Sequence, residues 1–131
     1  MPRRIFVAVA LIDRLLAEAA AAPDREICGL LFGNEARIEE ARSTANVAPD
    51  TSCWFEIDPA ALFAAHRAER AGGPRLIGHY HSHPGGSAEP SPRDLAAAEP
   101  GRLWLITGGG VIRAWMAGGD GFREVALLTN C

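Results

Sequence analysis

The rest of this chain is organised around residues 81–94, which read HSHPGGSAEPSPRD. Side chains two residues apart on a strand share a face, with α-carbons about 6.5 to 7 Å apart, so the imidazoles of His81 and His83 can meet at one point. The loop that follows is rich in glycine and proline, which lets the chain turn back and bring the carboxylate of Asp94 to that point. Two imidazoles and one carboxylate leave the fourth position of a tetrahedral zinc open, as a catalytic zinc requires.

Each part of this stretch also has a simpler structural explanation. Single histidines are commonly satisfied polar residues at the edge of a core, so a His-x-His pair alone is weak evidence for a metal. Ser91 can be the N-cap of a helix in which Pro92 is the first residue and Asp94 the third, close to a capping box. The cap and the metal ligand are compatible roles, because a helix N-terminus that fixes Asp94 would also hold it for a metal.

Length and composition indicate one globular domain. The chain has 131 residues, of which 48% are hydrophobic and 22% charged. This is long enough to bury a core and too short for two ordinary domains. The formal net charge of −3 offers no electrostatic footprint for nucleic acid or for an anionic membrane, so neither partner is expected.

The cysteines and the N-terminus favour a cytoplasmic protein. Cys28, Cys53 and Cys131 are an odd and scattered set, which predicts neither a disulfide framework nor a structural zinc site. Cys131 is expected to be an inert, frayed terminal residue. The basic and apolar residues 3–12 resemble part of a secretory signal, but charges interrupt the run at residue 13, and a strand leading into a helix fits better. No other run approaches the length of a membrane span.

Hydrophobic periodicity predicts eight strands and three helices. The strands are expected at residues 5–8, 26–33, 37–44, 53–57, 75–83, 103–107, 111–117 and 122–128. The helices are expected over an Ala-rich stretch that stops before residue 23, from residue 58 to near residue 72, and from residue 91 to residue 99. Glycine clusters at 108–110 and 118–121 predict hairpin turns. This order implies an α+β domain with a mixed, curved sheet flanked by helices.

Glu26 is an acid at the mouth of an otherwise apolar strand. Considered alone, it is most simply a solvated residue at the end of the strand. Cys28 shares its strand parity and can lie near whatever Glu26 faces, although such a cysteine is most often a small buried hydrophobe.

Taken together, these residues give a pattern that resembles the JAMM metalloprotease family, also called the MPN+ or Mov34/PAD1-like domain. The family pattern is a glutamate, then His-x-His, seven residues, a serine, two residues and an aspartate. Here these positions are Glu26, His81, His83, Ser91 and Asp94, with every spacing intact. The strand that begins at Glu26 and the His-Ser-His-Pro tetrapeptide match as well. The resemblance covers nearly the whole chain and implies one JAMM/MPN-like domain over residues 1–131, with a cytidine-deaminase-like α/β/α arrangement.

The resemblance implies a zinc peptidase or isopeptidase and a role for each motif residue. His81, His83 and Asp94 would bind Zn²⁺, and Glu26 would be the general base toward the attacking water. Ser91 would hydrogen-bond that water or the developing oxyanion. The substrates implied are ubiquitin-like or sulfur-carrier proteins that end in Gly-Gly, cleaved from an amine or from a C-terminal extension.

Two features depart from the family pattern, and one alternative function stays open. His79 stands where the family usually has an aromatic or aliphatic residue, and we expect a core-edge or groove residue rather than a ligand. The chain is also too short for the insertions of members that grip ubiquitin.

The alternative is a non-catalytic scaffold or protein-binding module, which the intact ligand set disfavours. Amidohydrolase barrels need about twice this length, and the Pro-Cys-x-x-Cys element of zinc deaminases does not occur.

Overall fold

A computed structural model describes residues 3–129 as three helices and seven strands. Their order is β1 (Arg4–Val7), α1 (Val9–Ala20), β2 (Cys28–Gly33), β3 (Arg37–Thr44), α2 (Pro59–Arg70), β4 (Leu76–Ser82), α3 (Pro92–Ala97), β5 (Leu103–Gly108), β6 (Val111–Gly118) and β7 (Gly121–Leu128). The three helices and seven of the eight predicted strands are confirmed, with ends that shift by a few residues. The expectation for Cys131 lies outside the described residues.

The strand predicted at residues 53–57 is wrong. Beyond a turn that ends at residue 53, that stretch is irregular and keeps one isolated β-bridge, between Asn46 and Ile57. The Asn46 side chain explains the difference, because it bonds backbone groups that a strand would pair. Its amide nitrogen donates to the carbonyl oxygen of Trp54 (3.0 Å), and its oxygen accepts from the N–H of Glu56 (3.0 Å).

The seven strands form one sheet that closes into a barrel in the order β1-β3-β2-β4-β5-β6-β7. Strand β1 runs parallel to both β3 and β7, and β4 runs parallel to β5, while the remaining neighbours are antiparallel. The predicted mixed sheet is therefore confirmed. Its closure corrects the simple α/β/α description, because the N-terminal strand joins two edges that would otherwise stay open.

Helices pack on both faces of this sheet. Leu15 of α1 is buried in a cluster with Leu31 of β2, whereas Ala65 of α2 is buried in a separate cluster with Leu30. Neighbouring residues of a strand point to opposite faces, so β2 is buried on both sides. This accounts for its nearly continuous apolar sequence.

The register of β2 against β4 brings Glu26 close to the histidines of the motif. Cys28 at the start of β2 is paired with His81 near the end of β4. The N–H of Ile27 donates to the Ser82 hydroxyl (2.9 Å), which holds the two strands at this point. Glu26, the preceding residue, therefore lies beside the carboxyl end of β4.

Candidate metal centre

Three side-chain atoms converge at the end of β4. The Nε2 atoms of His81 and His83 are 3.0 Å apart, and Oδ2 of Asp94 lies 3.4 Å from the first and 3.1 Å from the second. Ligands held about 2.0 Å from a tetrahedral zinc are separated by about 3.3 Å. The structure thus brings the two imidazoles and the aspartate together at distances that suit one shared ion.

Asp94 is held in this position by the first turn of α3. Its backbone N–H donates to the Ser91 hydroxyl (3.0 Å), and its Oδ2 accepts from the Ser91 N–H (2.9 Å). This is the predicted capping box, with Pro92 in the first turn. The Asp94 side chain is almost completely buried, so its carboxylate has little freedom to leave the site.

The tautomer of His83 supports a metal ion at this point. Its Nδ1 lies 2.8 Å from the carbonyl oxygen of Ser87, and because a carbonyl only accepts, Nδ1 carries the proton. In the neutral ring Nε2 is then a lone pair that faces Oδ2 of Asp94. Two lone pairs at 3.1 Å repel, so either a proton or a metal cation must lie between them. The donor set of two imidazole nitrogens and one carboxylate oxygen is one that zinc accepts.

Protonation within the site matches this requirement. Burial alone would raise the pKa of Asp94, but in the metal-free site hydrogen bonds from the protonated ring nitrogens of His81 and His83 hold that pKa well below its usual range. Burial lowers the pKa of His81. The aspartate is therefore ionised and the His81 imidazole is neutral near pH 7, and these are the forms that bind metal.

Glu26 completes the cluster as a second, separate carboxylate. It is 6% exposed, and one of its oxygens lies within 4.8 Å of ring nitrogens of both His81 and His83. Within residues 3–129, its Oε1 is buried and has no hydrogen-bond partner. Burial raises the pKa of Glu26 to about 7, although His83 opposes that rise. The interpretation of Glu26 as a solvated strand-end residue is wrong.

The backbone around Glu26 is held by Asn46, a residue outside the motif that the sequence pattern did not mark as part of the site. The Asn46 amide nitrogen donates to the carbonyl oxygen of Glu26 (2.9 Å), and the Glu26 N–H donates to the carbonyl of Thr51 (2.7 Å). An asparagine at a loop start is a weak signal for such a role. The Ser87 carbonyl that orients His83 is a backbone group and leaves no side-chain signal at all.

Gly108 supports the loop that orients His83, which leads to a first prediction. A Cβ at this position would lie 2.5 Å from the carbonyl carbon of Ser87 and 2.6 Å from its oxygen. We therefore expect Gly108→Ala to displace the Ser87 carbonyl and to weaken metal binding by about tenfold or more. Gly119→Ala is the matched control, because no atom of residues 3–129 lies within 4 Å of a Cβ there. Chelator competition would measure both affinities, and equal values would contradict the role given to Gly108.

Comparison with known proteins identifies relatives along nearly the whole chain. Residues 8–118 match the family described as prokaryotic homologs of the JAB domain, Prok-JAB. A desampylase of Haloferax volcanii is 33% identical over 135 residues, which cover 97% of each chain. A probable TtuB-protein conjugate cleaving protease of Thermus thermophilus is 33% identical over 124 residues, covering 95% of this chain and 82% of that protein.

Solved structures agree on the fold. Protein DSY2949 of Desulfitobacterium hafniense superposes with a TM-score of 0.83 at 27% identity, covering 96% of this chain and 92% of that one. AF2198 of Archaeoglobus fulgidus, a JAB1/MPN domain protein, superposes with a TM-score of 0.63 at 19% identity, covering 95% and 98%. The JAB/MPN fold is therefore confirmed. On the match of its sequence over residues 8–118, this chain belongs to the Prok-JAB family, the prokaryotic homologs of the JAB domain.

Proposed function

We propose that this protein is a zinc-dependent isopeptidase that hydrolyses the amide bond after the C-terminal Gly-Gly of a ubiquitin-like or sulfur-carrier protein. The observation that carries the proposal is the convergence of three ligand atoms within 3.4 Å beside a second, buried carboxylate. The names of the two relatives, a desampylase and a conjugate cleaving protease, support a conjugated carrier protein as the substrate.

In this proposal His81, His83 and Asp94 are the ligands of the zinc ion. Glu26, with the same two histidines, is a second possible set, since the four side chains are neighbours. The distances favour the set with Asp94, because its 3.0 to 3.4 Å separations suit a tetrahedral ion, while the set with Glu26 extends up to 4.8 Å. When bound, zinc would act as a Lewis acid that polarises the scissile carbonyl and lowers the pKa of the attacking water.

Glu26 is then the general base. Its Oε1, which has no hydrogen-bond partner among the described residues, is free to take a proton from the attacking water and to pass it to the leaving amine. Burial excludes bulk water from this carboxylate, so no competing hydrogen bonds from solvent weaken its basicity.

Ser91 has a hydroxyl that serves both the helix and the substrate. Its oxygen accepts the N–H of Asp94, which leaves the hydroxyl proton available to donate. We assign that proton to the attacking water or to the oxyanion that develops on the substrate carbonyl.

We also propose that residues 1–131 form one domain that works in a reducing, cytoplasmic environment. The single barrel supports the first point, and the free thiols of Cys28 and Cys53 support the second. No helix between residues 3 and 129 is long and apolar enough to cross a membrane. The absence of nucleic-acid and membrane partners remains a prediction from charge and hydropathy.

Metal content is the first test of this function. We expect elemental analysis of the purified protein supplied with zinc to find about one zinc ion per chain, because the three proposed ligands converge on a single site. A chelator should abolish cleavage of a fusion whose carrier ends in Gly-Gly, and zinc should restore it. The matched substrate ends in Ala-Ala and should resist cleavage.

The outcomes of this test separate the two functions. A protein that stays metal-free when zinc is supplied would leave the non-catalytic scaffold as the better interpretation. A protein that binds zinc and cleaves both fusions equally would keep the peptidase but lose the Gly-Gly substrate.

A further inference from the structure

We propose that Phe55 is a positioning residue that holds the imidazole of His81 in the orientation needed for metal binding. This inference rests on the proposed function, because it takes His81 as a metal ligand. Phe55 lies in the segment between β3 and α2, outside the family motif, and its side chain is buried.

The two proposed histidine ligands are held in different ways. His83 has a hydrogen bond from Nδ1 to the carbonyl oxygen of Ser87 (2.8 Å), which sets both its tautomer and its ring plane. His81 has no such bond, since its Nδ1 is buried and lacks a partner among the residues that the structure describes. Metal-binding histidines are usually oriented by a hydrogen bond from the second ring nitrogen. Another contact must therefore limit the rotation of the His81 ring.

Aromatic packing supplies that contact. The ring of Phe55 stacks on the ring of His81, with centroids 4.2 Å apart and planes inclined by 17°. Trp104 meets the same imidazole by its edge, at 5.6 Å and 82°. An imidazole that is packed by a parallel ring on one side and by a perpendicular ring on an adjacent side cannot turn about its own bond without colliding with one of them. Because His81 is fully buried, no solvent-filled space relieves that collision.

Phe55 also contacts His79, which shares a face of β4 with His81. Their ring centroids are 5.4 Å apart, and His79 is packed against Trp104 at 4.3 Å. The expectation that His79 is a core-edge or groove residue agrees with this half-buried position. The aromatic residues therefore hold His79 within the packing, while His81 keeps its Nε2 directed at His83 and Asp94.

The test replaces the stacked ring without changing the ligands. Phe55→Leu removes the planar face, and Phe122→Leu is the matched control. Phe122 packs against the same Trp104, with centroids 5.0 Å apart, and against the same buried cluster, but it makes no ring contact with His81. The readouts are zinc affinity by chelator competition and the visible absorption spectrum of the cobalt-substituted protein, which reports ligand geometry independently of cleavage.

We expect Phe55→Leu to weaken zinc binding by about tenfold or more and to alter the cobalt spectrum, as loss of an orienting contact does. Phe122→Leu should keep the zinc affinity and the cobalt spectrum close to those of the wild type.

Measuring the unfolding midpoint of each metal-free variant identifies a variant that fails to fold. If Phe55→Leu fails to fold, Phe55→Met replaces it, since methionine fills irregular apolar space. Equal affinities and spectra in the two leucine variants would overturn the role of Phe55. A wild-type protein that binds no zinc would overturn this inference and the proposed function together, whereas the first outcome leaves that function intact.

Discussion

Glu26→Gln is expected to lower the turnover number about 10²-fold to 10⁴-fold while zinc content stays near one ion per chain. Glutamine has nearly the same shape as glutamate but cannot accept a proton at neutral pH. The two histidine nitrogens have Asp94 as their closest carboxylate, at 3.1 and 3.4 Å, so removal of the Glu26 charge should not release the ion. The measurements are steady-state cleavage of a Gly-Gly fusion and elemental analysis.

A second glutamate provides the control for that experiment. Glu35 follows the far end of β2, where it is exposed, and Glu35→Gln should leave turnover and zinc content unchanged. If Glu26→Gln loses zinc in proportion to its activity, Glu26 is a ligand rather than a base. Wild-type turnover in Glu26→Gln would remove the residue from the mechanism.

Asp94→Ala is expected to weaken zinc binding by more than about a hundredfold and to destabilise the metal-free protein by about 1 to 3 kcal/mol. The first effect follows from the loss of one of three ligands. The second follows because the N–H of Ser91 loses its acceptor and the capping box opens. Chelator competition measures the affinity, and denaturant unfolding of the metal-free protein measures the stability.

Asp94→Asn separates these two effects. Asparagine keeps an oxygen that can accept from the Ser91 N–H, so the cap should survive, but its neutral amide is a weaker zinc ligand than the carboxylate. We expect stability close to wild type together with weak zinc binding. If both Asp94 variants bind zinc as tightly as wild type, the ion is held by Glu26, His81 and His83 instead.

Much of the candidate site could be predicted from the sequence because it is local. His83 and Asp94 lie 11 residues apart in the chain, and a capping box with a proline in the first turn sets the position of the aspartate. Strand periodicity likewise predicted β3 over residues 37–44, which the structure reproduces. The motif spacing led to the family, which the match over residues 8–118 confirms.

Contacts between distant residues could be known only from the tertiary structure. Glu26 and His81 are 55 positions apart, and they become neighbours because β2 pairs with β4 in one particular register. Closure of the barrel likewise needs β1 to pair with β7, from opposite ends of the described chain. Periodicity tells which side chains share a face of a strand, but it does not tell which strand lies alongside.

The contact between Phe55 and His81 could not be predicted from the sequence either, because it depends on a side chain elsewhere in the chain. The pattern of residues 53–57 predicts a strand, yet the side chain of Asn46 captures the backbone groups that a strand would use. In the resulting irregular segment, Phe55 packs on the ring of His81. The family, the helices, most strands and the local half of the metal centre can therefore be inferred from residue patterns along the chain. The tertiary structure decided the burial of Glu26, the closure of the barrel and the aromatic support of His81, because these depend on the register of strands far apart in the chain.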